Sequence, residues 1–149
     1  MTRWAAAALL GMATVLAAVP CAAGRGPEVQ VTSVRAFEHG PSDAQLIELR
    51  PRLRRLVGYR SFRIVAEEHR RCGWGTRASF TIPGGRVMHV VPKAMREQAV
   101  VMQVRLLDGT RSLIDTDVRL QNRGVMLFGV DREPRAPDGA LIIMLRAEE

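Results

Sequence analysis

Aromatic residues are scarce in this 149-residue sequence, which contains one tyrosine, two tryptophans and four phenylalanines. One of the tryptophans, Trp4, lies in an apolar N-terminal segment and is not expected in the folded protein. Proteins that stack sugars or nucleobases use several aromatic side chains on one surface. The composition therefore argues against that class of binding platform.

Familiar catalytic and nucleotide-binding motifs are also missing. The sequence contains no GxSxG, HExxH, GxGxxG or P-loop pattern. The glycine-rich stretches GWGT (73–76) and PGGR (83–86) are typical of turns, and they lack the lysine or helix start that a phosphate cradle needs. The sequence therefore predicts neither an enzyme of these classes nor a bound cofactor.

The first residues, MTRWAAAALLGMATVLAAVPCAAG, have the pattern of an export signal peptide. A single charge, Arg3, precedes an apolar run from Trp4 to Val19, which is shorter than the roughly 20 residues that span a bilayer. Pro20 ends the run and small residues follow. We predict that residues 1–23 are a signal peptide cleaved after Ala23, and that the protein is periplasmic or extracellular. A retained membrane anchor is the alternative.

Only two cysteines occur, Cys21 and Cys72. Lipidation of Cys21 is a second route to membrane contact, although Pro20 fits a lipidation site poorly. Cleavage would leave Cys72 alone in a single small domain of residues 24–149, so no intrachain disulfide could form. We interpret Cys72 as a buried core residue. An intermolecular disulfide and a thiolate favoured by the two preceding arginines are the alternatives.

Basic residues are concentrated in one region of a chain whose formal net charge is +7. The segment from Arg50 to Arg77 contains nine arginines and only two acidic residues, Glu67 and Glu68. Such charge favours an anionic partner. For an exported protein we expect an envelope protein or another anionic envelope component, and no nucleic acid. The alternative is that these arginines are the solvated sides of a helix and a strand. The candidate binding residues in this basic region are Arg52, Arg54, Arg55, Arg60, Arg63, Arg70 and Arg71.

A leucine pattern predicts one helix near the start of the domain. Its apolar residues recur at three- and four-residue spacing and form one stripe: Leu46, Leu49, Leu53, Leu56 and Val57. Ser42 or Asp43 is expected to cap the helix. Pro51 lies within the pattern, so we expect either a kink or a second helix that starts there.

The rest of the chain reads as successive strands separated by turn residues. They are predicted at 28–37, 60–67, 76–82, 87–92, 98–107, 112–121, 124–130 and 140–147. The predicted fold is mainly β, with α+β as the alternative. It is a single antiparallel sandwich, or a partly open barrel, of about seven or eight strands with one helix near the start.

Two turns fix the expected pairing of neighbouring strands. PGGR (83–86) suggests a tight hairpin that pairs Ile82 with Val87 and Phe80 with His89. Asp-Gly at 108–109 suggests a two-residue loop, but that loop would set apolar residues against charged ones. A loop of residues 108–112 keeps one apolar face, and a buried face determines register strongly. We therefore predict that Leu106 pairs with Ile114 and Arg105 with Asp115.

The last two strands are the most apolar. ALIIML (140–145) has no polar face, so we predict a central strand covered on both sides. Met126 and Phe128 are expected to share a face with Asp117 and Arg119 of the preceding strand. We predict that this face is either covered by the leucine helix or exposed as part of the partner surface, and we include Met126 and Phe128 among the candidate binding residues.

Asp115 and Asp117 lie two residues apart on a predicted strand, so they share a face at about 7 Å. Paired carboxylates can act in acid–base catalysis or hold a cation. The predicted register places Arg105 opposite Asp115, and Arg119 lies on the same face. We interpret the group as a solvated ion-pair array.

The histidines give no stronger catalytic or metal signal. His69, Cys72 and Glu67 could supply at most three ligands, whereas zinc normally takes four, so we predict no metal site. We interpret EEHRRC (67–72) as a charged loop end after a strand. His89 is expected to be half-buried on the face of Phe80, and as a general base it would need a nucleophile that the sequence does not place.

Three functions follow, in order of preference. The first is an exported, non-catalytic interaction module of the bacterial cell envelope that binds through the basic region. The second is a carrier of a small apolar ligand or lipid, with a pocket enclosed by strands. The third is an enzyme that uses the Cys72 thiol or His89 with the Asp115/Asp117 pair.

Overall fold

The computed structural model describes residues 26–131 and 139–149. The predicted signal peptide (residues 1–23) and Cys21 lie outside the described residues. Within them the chain forms eight strands, one short 3-10 helix and one α-helix. The strands are β1 (Glu28–Phe37), β2 (Ser61–Arg71), β3 (Ala78–Ile82), β4 (Arg86–Arg96), β5 (Ala99–Asp108), β6 (Arg111–Gln121), β7 (Val125–Asp131) and β8 (Ala140–Glu148); the 3-10 helix is Ala44–Leu46 and α1 is Arg50–Val57.

Two antiparallel four-stranded sheets face each other. The front sheet has the order β2-β1-β8-β7, and the back sheet has the order β3-β4-β5-β6. The predicted mainly β fold, with a sandwich-like arrangement of antiparallel strands and one early helix, is confirmed. Strand alternation explains the arrangement, because most strands turn one row of apolar side chains inward and a polar row outward.

Apolar side chains fill the space between the two sheets. Phe80, Met88, Met102, Leu106 and Ile143 of this layer are fully buried. Cys72 belongs to the same cluster at 1% exposure, which confirms its prediction as a core residue.

A second apolar layer lies on the outer face of the front sheet, under α1. Leu53 of the helix packs in a cluster with Phe62 of β2, Val34 of β1 and Ile142 of β8. α1 is a separate helix that follows the 3-10 turn and has Pro51 in its first turn. Of the two predicted alternatives, a kink or a second helix at Pro51, the second is therefore correct. Proline is tolerated there because an N–H in the first turn has no partner within the helix.

Asp43 stands at the N-cap position of the 3-10 helix, as one of the two predicted alternatives, but its side chain makes no capping hydrogen bond. Instead the N–H of Ile64 donates to Asp43 Oδ2 at 2.6 Å, and the N–H of Phe62 donates to Ser42 Oγ at 3.1 Å. β2 is an edge strand, so one row of its backbone groups has no neighbouring strand. The side chains before the helix satisfy part of that row.

β8 is central and covered on both faces, as predicted. It lies between β1 and β7, and Ala140–Leu145 is buried throughout. Ile143 faces the back sheet, and Ile142 faces α1.

Of the predicted hairpins, β5–β6 has the predicted register, but its predicted loop of residues 108–112 is wrong. Leu106 pairs with Ile114 and Arg105 with Asp115. Asp108 pairs with Arg111 across a two-residue turn, and a register shift between Leu106 and Leu107 keeps the apolar residues on one face.

The predicted β3–β4 hairpin is wrong by one residue. In β3–β4, Ile82 pairs with Arg86 and Phe80 with Met88, because the turn Pro83–Gly85 has three residues, two of them glycines with positive φ. His89 therefore lies on the opposite face from Phe80.

The expected β6–β7 pairing is also wrong. β6 ends the back sheet, and β7 ends the front sheet, where it pairs with β8. Met126 and Phe128 thus do not share a sheet face with Asp117 and Arg119; they pack at the margin of the inter-sheet core. The chain changes sheets in the turn after β6, where Arg123 has positive φ.

Candidate functional site

The arginines of α1 form the outer side of the helix because its leucines face the front sheet. Arg50, Arg52, Arg54 and Arg55 are all exposed. Three of them make polar contacts with neutral groups: Arg50 Nη2 to Ser42 Oγ (3.2 Å), Arg52 Nη2 to the carbonyl of Val125 (3.2 Å) and Arg55 Nε to the carbonyl of Pro51 (3.4 Å).

These helix arginines have no matching acids in the described part of the chain. No carboxylate there lies within 4 Å of Arg50, Arg52, Arg54 or Arg55, and the same holds for exposed Arg60 just after the helix. Four positive charges therefore stand within six residues on one surface. Such a surface attracts anions, and the attraction weakens as salt increases.

A shallow open groove of about 310 Å³ runs between α1 and β7. Arg52, Arg55 and Leu56 of the helix and Leu127 of the strand line it. β7 bonds to β8 on one side only, so its other backbone edge has no strand beside it in the described structure. The groove combines apolar contact, positive charge and an open strand edge.

The predicted basic region does not form one surface. β2 separates its two halves, because Ser61–Arg71 at about 3.3 Å per residue is roughly 30 Å long. At the far end Arg70 pairs with Glu68 (3.2 Å), and Arg71 lies 4.0 Å from Glu28. Acids therefore balance Arg70 and Arg71, whereas no described acid lies within 4 Å of the helix arginines.

Arg63 differs from the other candidates because it points toward the interior of the sandwich. It lies between Phe62 and Ile64, which both pack under α1. Its guanidinium carbon is 4.6 Å from the centroid of the Phe37 ring.

One apolar residue of the groove, Leu127, was not among the binding residues predicted from the sequence. Leu127 lines the groove, whereas the candidates Met126 and Phe128 turn toward the core. Because VMLFGV is apolar at every position, alternation could not indicate which residues face outward. The spacing of the leucines around Arg52 and Arg55 was the only available signal.

The residues considered for catalysis do not come together. Cys72 is buried between the sheets, whereas His89 lies on the outer face of the back sheet opposite Arg105. Arg105 in turn lies 3.4 Å from Asp115, as predicted. Desolvation by burial, and then the positive charges of Arg77 and Arg105, lower the pKa of His89. His89 is therefore surrounded by cations and has no nucleophile beside it among these residues.

The neighbouring charges are ion pairs rather than an acid–base pair. Asp117 lies 3.5 Å from Lys93, and Arg119 lies 2.7 Å from Glu97. Asp115 and Asp117 thus each have a cation of their own. Arg119, which was expected near these two aspartates, pairs with Glu97 instead.

His69 and Cys72 do not share a site either. β2 extends through Arg71, so the predicted loop end at 67–72 is wrong: His69 lies on the strand, 3.6 Å from both Glu28 and Glu67, while the Cys72 side chain is in the core. Within residues 26–131 and 139–149, no group of three or more His, Cys, Asp or Glu side chains is arranged to hold a metal ion.

None of the helices in the described residues is long and apolar enough to cross a membrane. No protein-family model, curated protein or solved structure gives a significant match to the chain.

Proposed function

We propose that the protein is an exported, non-catalytic interaction module of the cell envelope that holds an acidic, extended segment of another envelope protein in the groove between α1 and β7. The observation that carries the proposal is the set of helix arginines that have no acid within 4 Å in the described part of the chain, beside the open edge of β7. The export part rests on the signal-peptide pattern of residues 1–23.

The open edge of β7 suits a partner in extended form. An extended segment can add to a free strand edge through main-chain hydrogen bonds, while pockets beside the edge select its side chains. Exposed edges are commonly protected by charged residues or proline. β7 contains neither in residues 125–130, and its one charged residue, Asp131, stands at its end, where the pairing with β8 shifts register. This edge therefore retains the features that permit strand addition.

The positive charge beside this edge selects an acidic segment. Arg52 and Arg55 line the groove, and Arg52 already donates to the carbonyl of Val125 at the start of β7. Carboxylates on alternate residues of an added strand would all project to the same side. Apolar residues in between would project to the opposite face, beside Met126 and Phe128 at the margin of the inter-sheet core, so the preferred ligand alternates acidic and apolar residues.

The packed interior is a reason to prefer this function to a lipid or apolar-ligand carrier. Fully buried side chains, among them Phe80, Met102 and Ile143, occupy the space between the sheets. The groove and the other cavities found among the described residues are open to solvent. A thiol- or histidine-dependent enzyme ranks third because Cys72 and His89 lie on different sides of the back sheet.

Removing the two groove arginines is expected to weaken peptide binding about tenfold, because each surface ion pair contributes up to about 1 kcal/mol. The probe is a short fluorescent peptide that alternates valine and glutamate, and binding is measured by anisotropy at low and physiological salt. The double variant Arg52→Gln/Arg55→Gln is compared with Arg50→Gln/Arg54→Gln. The control variant loses the same charge from the same helix but keeps the groove-lining arginines.

Equal losses in the two double variants would contradict the groove and indicate a general charge effect. Binding that does not weaken with salt, or equal binding of a valine–lysine peptide, would contradict the acidic ligand. Binding to vesicles of phosphatidylglycerol in place of the peptide would contradict a protein partner.

A further inference from the structure

Two arginines face each other directly across the front sheet. Arg35 of β1 pairs with Arg63 of β2 in the antiparallel register. Directly opposite residues have their Cβ atoms about 4.5–5.5 Å apart. The backbone therefore places the two arginine side chains next to each other on the same face of the sheet.

Both side chains point into the end of the sandwich. Their neighbours Val34, Ala36, Phe62 and Ile64 pack in the layer under α1. Alternation then places Arg35 and Arg63 on the opposite face, toward the back sheet. Both are partly buried.

The positive charge of this pair has no match in the described residues. Neither Arg35 nor Arg63 has a carboxylate within 4 Å there. Arg63 Nε is fully buried and has no hydrogen-bond partner among those residues. Like charges directly opposite each other destabilise a sheet, and a buried N–H group without an acceptor adds a further cost.

The facing sheet does not supply the missing negative charge. The inner row of β4 and β5 ends in Arg86 opposite Asp108, with Nε and Oδ2 3.8 Å apart. This aspartate is therefore already balanced by a cation. Among residues 26–131 and 139–149, the end of the sandwich therefore keeps an excess of positive charge that belongs to Arg35 and Arg63.

We propose that Arg35 and Arg63 together bind an oxyanion of the phosphate class. Guanidinium groups donate paired N–H groups in a planar fork that matches phosphate oxygens. One oxyanion between the two side chains would supply acceptors for both forks and relieve their repulsion. The pair lies on the inner face of the front sheet, away from the α1–β7 groove, so this site is independent of the proposed peptide site.

Phosphate is expected to stabilise the protein through this pair. The probe is inorganic phosphate, compared with chloride at equal ionic strength, and the readout is the midpoint of thermal unfolding. At about 100 times the dissociation constant the midpoint should rise by roughly 10 °C. The rise should be lost in Arg35→Gln and in Arg63→Gln but retained in Arg54→Gln, an exposed arginine of α1.

A second signature separates binding from loss of folding. Without phosphate, Arg35→Gln and Arg63→Gln should unfold at an equal or higher temperature than the parent protein, because the like-charge pair is removed. Arg63→Lys keeps the charge but loses the fork, so phosphate should stabilise it less. In the parent protein, titration with phosphate should shift the ¹⁵Nε–¹Hε NMR signal of Arg63.

Equal phosphate stabilisation of the parent protein and all variants would overturn the site, because phosphate also stabilises proteins without a specific site. An Arg63 signal that does not move would overturn it as well. Vesicles of phosphatidylglycerol distinguish the source of the phosphate: binding that depends on Arg35 and Arg63 identifies a lipid headgroup, and stabilisation by inorganic phosphate alone identifies a free anion.

Discussion

Replacing either Ile142 or Ile143 with alanine is expected to lower the free energy of unfolding by about 2–5 kcal/mol. Both side chains are fully buried, although they point to opposite faces of β8. Each substitution would leave a cavity in a different layer. Chemical denaturation monitored by circular dichroism measures both losses, and Val65→Ala at an exposed position of β2 (47% exposed) is the control, with an expected change within about 0.5 kcal/mol.

A double-mutant cycle with Leu53→Ala tests whether the two layers are separate. Leu53 and Ile142 belong to the same cluster under α1, so their substitutions should be coupled. Leu53 and Ile143 lie in different clusters, so their effects should add. Equal coupling of Leu53 to both isoleucines would contradict the three-layer arrangement of helix, front sheet and back sheet.

Gly139→Ala is expected to destabilise the protein by about 4 kcal/mol or more, which is an exceptional value for one residue. Gly139 has a φ of 74°, where side chains are disfavoured, and a Cβ there would overlap the carbonyl oxygen of Ala36. Gly109 also has positive φ (61°), but no atom lies within 4 Å of an added Cβ. Gly109→Ala should therefore cost only the backbone strain, about 1–2 kcal/mol.

The difference between these two variants measures how much of the destabilisation comes from the clash with the carbonyl oxygen of Ala36. Denaturant midpoints of purified variants measure it, and the soluble yield of Gly139→Ala serves as the readout if that variant does not fold. Similar midpoints for the two variants would show that β1 can move away from Gly139 at little cost.

Sequence patterns predicted the fold well where one face of a strand is polar. The register of β5 and β6 followed from apolar residues that alternate with charged ones, as in Arg105 opposite Asp115. The same reasoning failed for β7, because a strand with no polar face does not indicate which side is buried. It failed by one residue at Pro83–Gly85, because two consecutive glycines permit more than one turn.

The site was predicted in part. Leucine spacing was sufficient to place Arg52, Arg54 and Arg55 on the outer side of the helix. It could not show that Arg71 would lie near Glu28, since that contact depends on how β1 pairs with β2. The apposition of Arg35 and Arg63 depends on the same pairing, which shifts by one residue between Ser33 and Val34.

The pairing of β1 with β8 has a consequence for how the chain folds. Val31 pairs with Leu145, so the two central strands of the front sheet come from opposite ends of the described chain. Such distant pairing makes folding slow, because a very long loop must close before the contact forms. During synthesis the front sheet lacks its most apolar strand until β8 emerges from the ribosome. If the protein is exported as proposed, this delay would leave the growing chain unfolded, and thus able to thread through a narrow channel, until its last strand is made.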